Sequence, residues 1–225
     1  MSDHAAMIMN SVWSFSAMRV LIRNASGIAL VTIAIIAPSL WGCAFTTGHV
    51  DLAYQPTGAA TKVAQAESPH VNVEVSDNRP NQAVGQKING FGMKTADIVS
   101  NSDVAGTLKS AFESELRARG FSEGADGNLV SVRLSNFENQ FTLGFFSGDA
   151  TATMGMDVTV KRRDGSVAYH KYITGQSKDW VEIAGEDNAQ RMLNAAMQDA
   201  MSKVFSDEQF IGALKGATSA QPQAS

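Results

Sequence analysis

A single cysteine in 225 residues excludes an internal disulfide and any site built from several thiolates. The four histidines, His4, His49, His70 and His170, stand apart with no metal-ligand spacing. Charge is sparse: 18 basic residues face 22 acidic ones, for a net charge of -4. No positive field is available to hold a nucleic-acid backbone, so no nucleic-acid partner is expected. A phosphate-cradling glycine loop is missing too. Gly90-Phe91-Gly92 lacks the third glycine and the following helix. Neither H-E-x-x-H nor G-x-S-x-G occurs. The expectation is a protein with no cofactor, no metal and no catalytic residue. Hydrophobic residues make up 44% of the chain, enough for a packed core and too many for global disorder.

Only one long hydrophobic run exists, and it lies near the N-terminus. Between Ala25 and Trp41 the polar interruptions are Ser26, Thr32 and Ser39, with Pro38 close to the end. Arg19 and Arg23 precede the run, and no charge falls between Arg23 and Asp51. A positive start, a short apolar stretch and a small residue before a cut describe a secretory signal peptide, here 1–42. The run is marginal for a membrane span, which needs about 20 apolar residues. Residues 1–17 place Trp13 and Phe15 ahead of the basic residues, and Met18 is a better start. They are set aside from fold reasoning as a mis-assigned start or an extension.

The run closes on Leu40-Trp41-Gly42-Cys43, which resembles a bacterial lipobox. Trp41 departs from the pattern, since a small residue is usual there. The resemblance implies that Leu40, Trp41 and Gly42 are read by the signal peptidase and that cleavage follows Gly42. Cys43 then becomes the N-terminus, its thiol carrying a diacylglyceryl group and its amine a palmitate-like chain. The membrane is thereby a partner, through the lipid on Cys43.

Residues 43–68 are rich in Ala, Thr, Gly and Gln without sustained periodicity. They read as the lipidated N-terminus and a flexible tether of some 25–30 Å, long enough to lift a domain clear of a bilayer. Residues 217–225 read as a disordered tail. The domain between them, 69–216, is expected to be α+β. It should be an antiparallel meander of long strands with two main helices on one face.

Val71, Val73 and Val75 alternate with polar residues as a half-buried strand, ended by the turn Asp77-Asn78-Arg79-Pro80. Short strands are expected over 84–88 and 96–99. A helix follows, capped by Asn101 or Ser102 and running to Arg119, with Val104, Leu108, Ala111, Phe112 and Leu116 on one stripe. Glu113 and Arg117 are spaced to pair, and Gly120 stops the helix so that Phe121 folds back. In the next strand the apolar parity passes from Val130, Val132 and Leu134 to Phe137 and Phe141, which predicts a bulge near Ser135-Asn136. After a turn at Ser147-Gly148-Asp149, residues 150–160 alternate most cleanly of all. Asp164-Gly165 signals a type I′ hairpin. A second helix spans 186–205, and Asp207 caps a third.

Few residues suggest chemistry. His170 is the only histidine inside the folded core region. An envelope hydrolase using it with a nearby serine and acid is the alternative reading, although a surface histidine is the plainer one. Phe145 and Phe146, around a hairpin, and Arg162 and Arg163, at another hairpin tip, are candidate partner contacts.

Taken together, the lipobox, the Val-Glu-Val-Ser-Asp-Asn-Arg-Pro segment and the helix ending Glu-Leu-Arg-Ala-Arg-Gly-Phe carry a resemblance. With the meander and the helix ending at Phe205-Ser-Asp, they look like the YajG-type family of Gram-negative lipoproteins. That resemblance implies a lipid-anchored envelope protein. Ala44, where an inner-membrane retention signal would place Asp, implies the outer membrane, facing the periplasm. The function expected is a non-catalytic interaction or assembly module, with an envelope protein, peptidoglycan or lipopolysaccharide as partner.

Overall fold

Seven strands and three helices follow one another in a computed structural model that describes residues 45–56, 61–64, 70–143, 148–182 and 184–216. They run β1 (Gly48–Val50), β2 (Val71–Asp77), β3 (Ala83–Ile88), β4 (Lys94–Ser100), α1 (Val104–Ala118), β5 (Asn128–Leu143), β6 (Gly148–Lys161), β7 (Val167–Val181), α2 (Glu186–Phe205) and α3 (Glu208–Leu214). The elements belong to one unit that begins at Thr46. The class is α+β.

β6 lies inside the sheet between β5 and β7. Its residues Ala150, Ala152, Met154, Met156, Val158 and Val160 are all fully buried. The intervening side chains are half-buried on the other face. This is the period-two pattern of a sheet with one face on a core and one toward water. Burying each Val or Met side chain contributes about 1.5–3 kcal/mol. β5 keeps its apolar side inward only by slipping register between Leu134 and Asn136. The expected bulge is therefore present, and it turns Phe137 into the core.

The sheet order is β1-β4-β3-β5-β6-β7, with β2 also paired to β5. The long strands β5, β6 and β7 pair antiparallel as the expected meander, and the shorter strands make the sheet mixed. β2 runs parallel to β5 along seven residue pairs, β3 touches β5 in parallel at Gly85–Asn139, and β1 runs parallel to β4. The β3–β4 hairpin and α1 supply the crossover that lets β5 return in the direction of β2.

α1 is capped by Asp103, whose carboxylate accepts from the Ala105 N–H. That is one or two residues past the expected caps. Gly120 takes φ 91°, and the Phe121 N–H bonds back to Leu116 O at 3.0 Å, closing the helix as anticipated. The expected Glu113–Arg117 pair does not form. Glu113 meets Lys109 at 3.8 Å and Arg117 meets Glu123 at 2.8 Å, because the chain after Gly120 folds back over the helix end. α2 occupies 186–205 as expected, burying Ala189, Leu193, Ala196, Met197, Ala200 and Val204 against the sheet. A Cβ on Gly175 would come within 2.2 Å of Ala196 O. Only glycine lets α2 settle this closely onto β7. At the β6–β7 turn, Gly165 has a positive φ, 82°. The loop is longer than a two-residue type I′ turn, closed by Arg162 N–H to Ser166 O at 2.9 Å. Gly148 and Asp149, expected in a turn, instead start β6.

The tether expected over 43–68 fails over much of its length. β1 enters the sheet, Val50 and Leu52 are buried, and the Asp51 and Ala53 N–H groups donate to Gln190 and Asn194 of α2. Tyr54 donates its hydroxyl to Glu115, a carboxylate only 1% exposed that also pairs with Arg119. Even Val63 bonds to Arg119 O at 2.9 Å. Small and polar residues concealed a strand too short to show a period.

Candidate functional site

The expected site residues scatter. Leu40, Trp41, Gly42, Cys43, Phe145 and Phe146 lie outside the described residues. Arg162 and Arg163 sit at the β6–β7 turn, where Arg163 reaches Asp126 at 3.2 Å. Phe145 and Phe146 precede Gly148, the opposite end of β6.

His170 stands on the exposed side of β7 with its Nε2 3.3 Å from Asp157 Oδ1. An acid partner is therefore at hand. No serine or threonine hydroxyl hydrogen-bonds to the ring among the described residues. Base and nucleophile must be within hydrogen-bond reach for acyl transfer, and the geometry supplies only the acid. No group of three His, Cys, Asp or Glu capable of holding a metal occurs among the described residues. No helix among them is long and apolar enough to cross a membrane.

The concave feature with unusual chemistry lies where the sheet splits. β2 leaves β5 after the Asp77–Leu134 pair, and β3 rejoins it only at Gly85–Asn139. The opening between them is a cavity of about 330 Å³. The β2–β3 turn, β3 and residues 136–141 of β5 form its walls. Asp77 and Arg79 shape the rim. The guanidinium donates to both carboxylate oxygens of Asp77, at 2.9 and 2.7 Å, and is itself buried. The hydrogen bond from Arg79 holds the Asp77 carboxyl below its usual value, against the opposing effect of burial. With the Arg79 N–H also donating to Asp77 Oδ1 at 3.1 Å, the pair fixes the turn.

Asn139, on the cavity wall, is 2% exposed, and neither its amide nitrogen nor its oxygen has a partner among the described residues. A buried carboxamide without partners costs about 1–3 kcal/mol. With Asn81, Gln86, Asn136 and Gln140 also on the walls, the opening can donate and accept hydrogen bonds without offering a nucleophile. Sequence reasoning missed this feature. A lone Asn among alternating strand residues carries no signal until β3 closes over it.

A family model described as "uncharacterized lipoprotein" matches residues 56–215. The chain belongs to that lipoprotein family. No curated protein matches it. Among solved structures it resembles a Xanthomonas campestris protein of the DUF330 family at 14% identity and a TM-score of 0.47, over 76% of this chain and 96% of that one. A hypothetical protein of Chlamydia trachomatis matches at 11% identity and a TM-score of 0.23, over 78% of this chain and all of the other.

Proposed function

We propose that this lipoprotein is anchored by acyl chains on Cys43 to the periplasmic face of the outer membrane and works there as a non-catalytic interaction module of the YajG type. The observation that carries the reading is the coincidence of lipoprotein family membership over 56–215 with a sole cysteine. That cysteine follows a basic start and an apolar run ending Leu40-Trp41-Gly42. The split between β3 and β5 is the face that receives a partner, because its buried carboxamide and surrounding amides are equipped to hydrogen-bond rather than to react. The apolar leader directs export and is removed, and two or more acyl chains then give stable membrane attachment at about 0.8 kcal/mol per buried CH₂.

The test is metabolic labelling with palmitate in cells expressing the whole chain. Label should enter the wild-type protein, and Cys43→Ala should abolish it and leave a longer precursor. Equal labelling of the two would defeat the reading.

A further inference from the structure

We propose that one end of the sheet, bearing Phe91, Met93 and Trp180, seats in the same bilayer that holds the Cys43 lipid. The proposal rests on the lipid anchor just described. It starts from strand directions. β3 and β5 run parallel, so the β3–β4 hairpin lies at the end of the sheet where β5 terminates. β6 starts there and β7 finishes there, with Trp180 opposite Asp149 and Val181 opposite Gly148. β1 runs parallel to β4, so it also enters the sheet from this end.

Three large apolar side chains stand in solvent at this end. Phe91 is 89% exposed, Met93 59% and Trp180 55%. Among the described residues of the unit that begins at Thr46, the other exposed large hydrophobics are Val167 and Tyr172, elsewhere on β7. Phe91 and Met93 are held outward by a tight loop in which both their N–H groups donate to Asn89 Oδ1 at 3.0 Å.

Chain length then supplies the partner. Cys43 precedes Gly48 by five residues, so, whatever their path, it lies within about 18 Å of the Gly48 Cα. Gly48 pairs with Ile98. From Ile98 to Lys94, the first residue of β4, is four residues, or about 13 Å along the strand. The hairpin loop carrying Phe91 and Met93 extends beyond that. A lipid on Cys43 is therefore joined to β1 by only a short stretch of chain, which brings a bilayer within reach of this end of the sheet. The longer tether read from the sequence would have let the domain stand clear.

Electrostatics do not drive the seating. The cations near this end are paired: Lys87 with Glu186 at 2.5 Å, Lys94 with Asp97 at 2.6 Å, Lys178 with Asp149 at 2.8 Å and Arg191 with Asp179 at 2.5 Å. Glu182 and Asp187 are exposed besides. Insertion is thus apolar and shallow, with Trp180 at headgroup depth, where tryptophan is favoured.

The experiment uses a convenience of the sequence. The three tryptophans are Trp13, Trp41 and Trp180, so a chain cleaved before Cys43 keeps only Trp180. The full protein is expressed with its own leader, purified in detergent and reconstituted into phosphatidylethanolamine–phosphatidylcholine vesicles with or without brominated acyl chains. Intact mass reads the lipid on the N-terminus. Trp180 emission should shift to the blue and be quenched about twofold by the brominated lipid, as for an interfacial indole. The quenching should persist at about 0.5 M NaCl, where surface attraction is screened. Phe91→Ser combined with Met93→Ser should weaken quenching while the acylated protein still floats with vesicles. Unquenched emission from an acylated, vesicle-bound protein overturns the seating and leaves the anchor standing. A mass without acyl chains overturns both.

Discussion

Asn139 is buried in the way a hydrophobic strand residue is buried, yet it carries two polar atoms with no partner among the described residues. Replacing such a group with an apolar one of similar shape removes a desolvation cost. Asn139→Leu should therefore raise stability by about 1–3 kcal/mol in urea denaturation. A loss of stability would mean that the amide is satisfied in solution. Asp77 behaves differently. Its carboxyl is held below the usual 3.8 by the hydrogen bond from Arg79. A depressed acid stabilises the fold above its unfolded pKa, and that contribution fades as pH falls through the folded value. Asp77→Asn should cost stability by a constant amount above about pH 5, with the gap closing below about pH 4. Equilibrium unfolding across that range checks it. The Asp77–Arg79 pair was legible because it is local, two residues apart beside a proline. Glu115 was not. It falls on the α1 stripe by spacing, four after Ala111, but its partner Tyr54 is 61 residues away. A carboxylate in that position reads as exposed until the distant hydroxyl is in view.

Among the elements, α2 and β6 were legible because each repeats its period long enough to be unmistakable. The bulge in β5 was legible for the related reason that a shift in parity has only one cheap structural solution. β1 was hidden. Three residues cannot display an alternation, and Gly48 lies under the mobile ends of the Lys87 and Glu186 side chains. What β1 contributes can be measured. Val50 and Leu52 are buried, each worth about 1.5–3 kcal/mol, and the Gln190 and Asn194 side chains would lose their backbone donors. A chain beginning at residue 57 should thus lose about 3–6 kcal/mol, seen as a lower urea midpoint. A dispensable tether would leave the midpoint unchanged.

For the molecule as a whole, local pattern revealed the class, the two main helices and the sheet face that meets them. It could not reveal which strands run parallel, because β2, β3 and β1 find their partners through a crossover whose path is set by packing. The candidate cavity was invisible for that reason: it exists only because two strands share one edge of β5 and leave a gap. One consequence concerns the order of events in a chain made from its N-terminus. The hydrogen bonds that fasten residues 51 and 53 to α2 span 139 and 141 positions. The first part of the sheet to emerge is thus among the last to be locked. A chain crossing a membrane head first would present an unfastened leading segment to processing enzymes until its final helices had arrived.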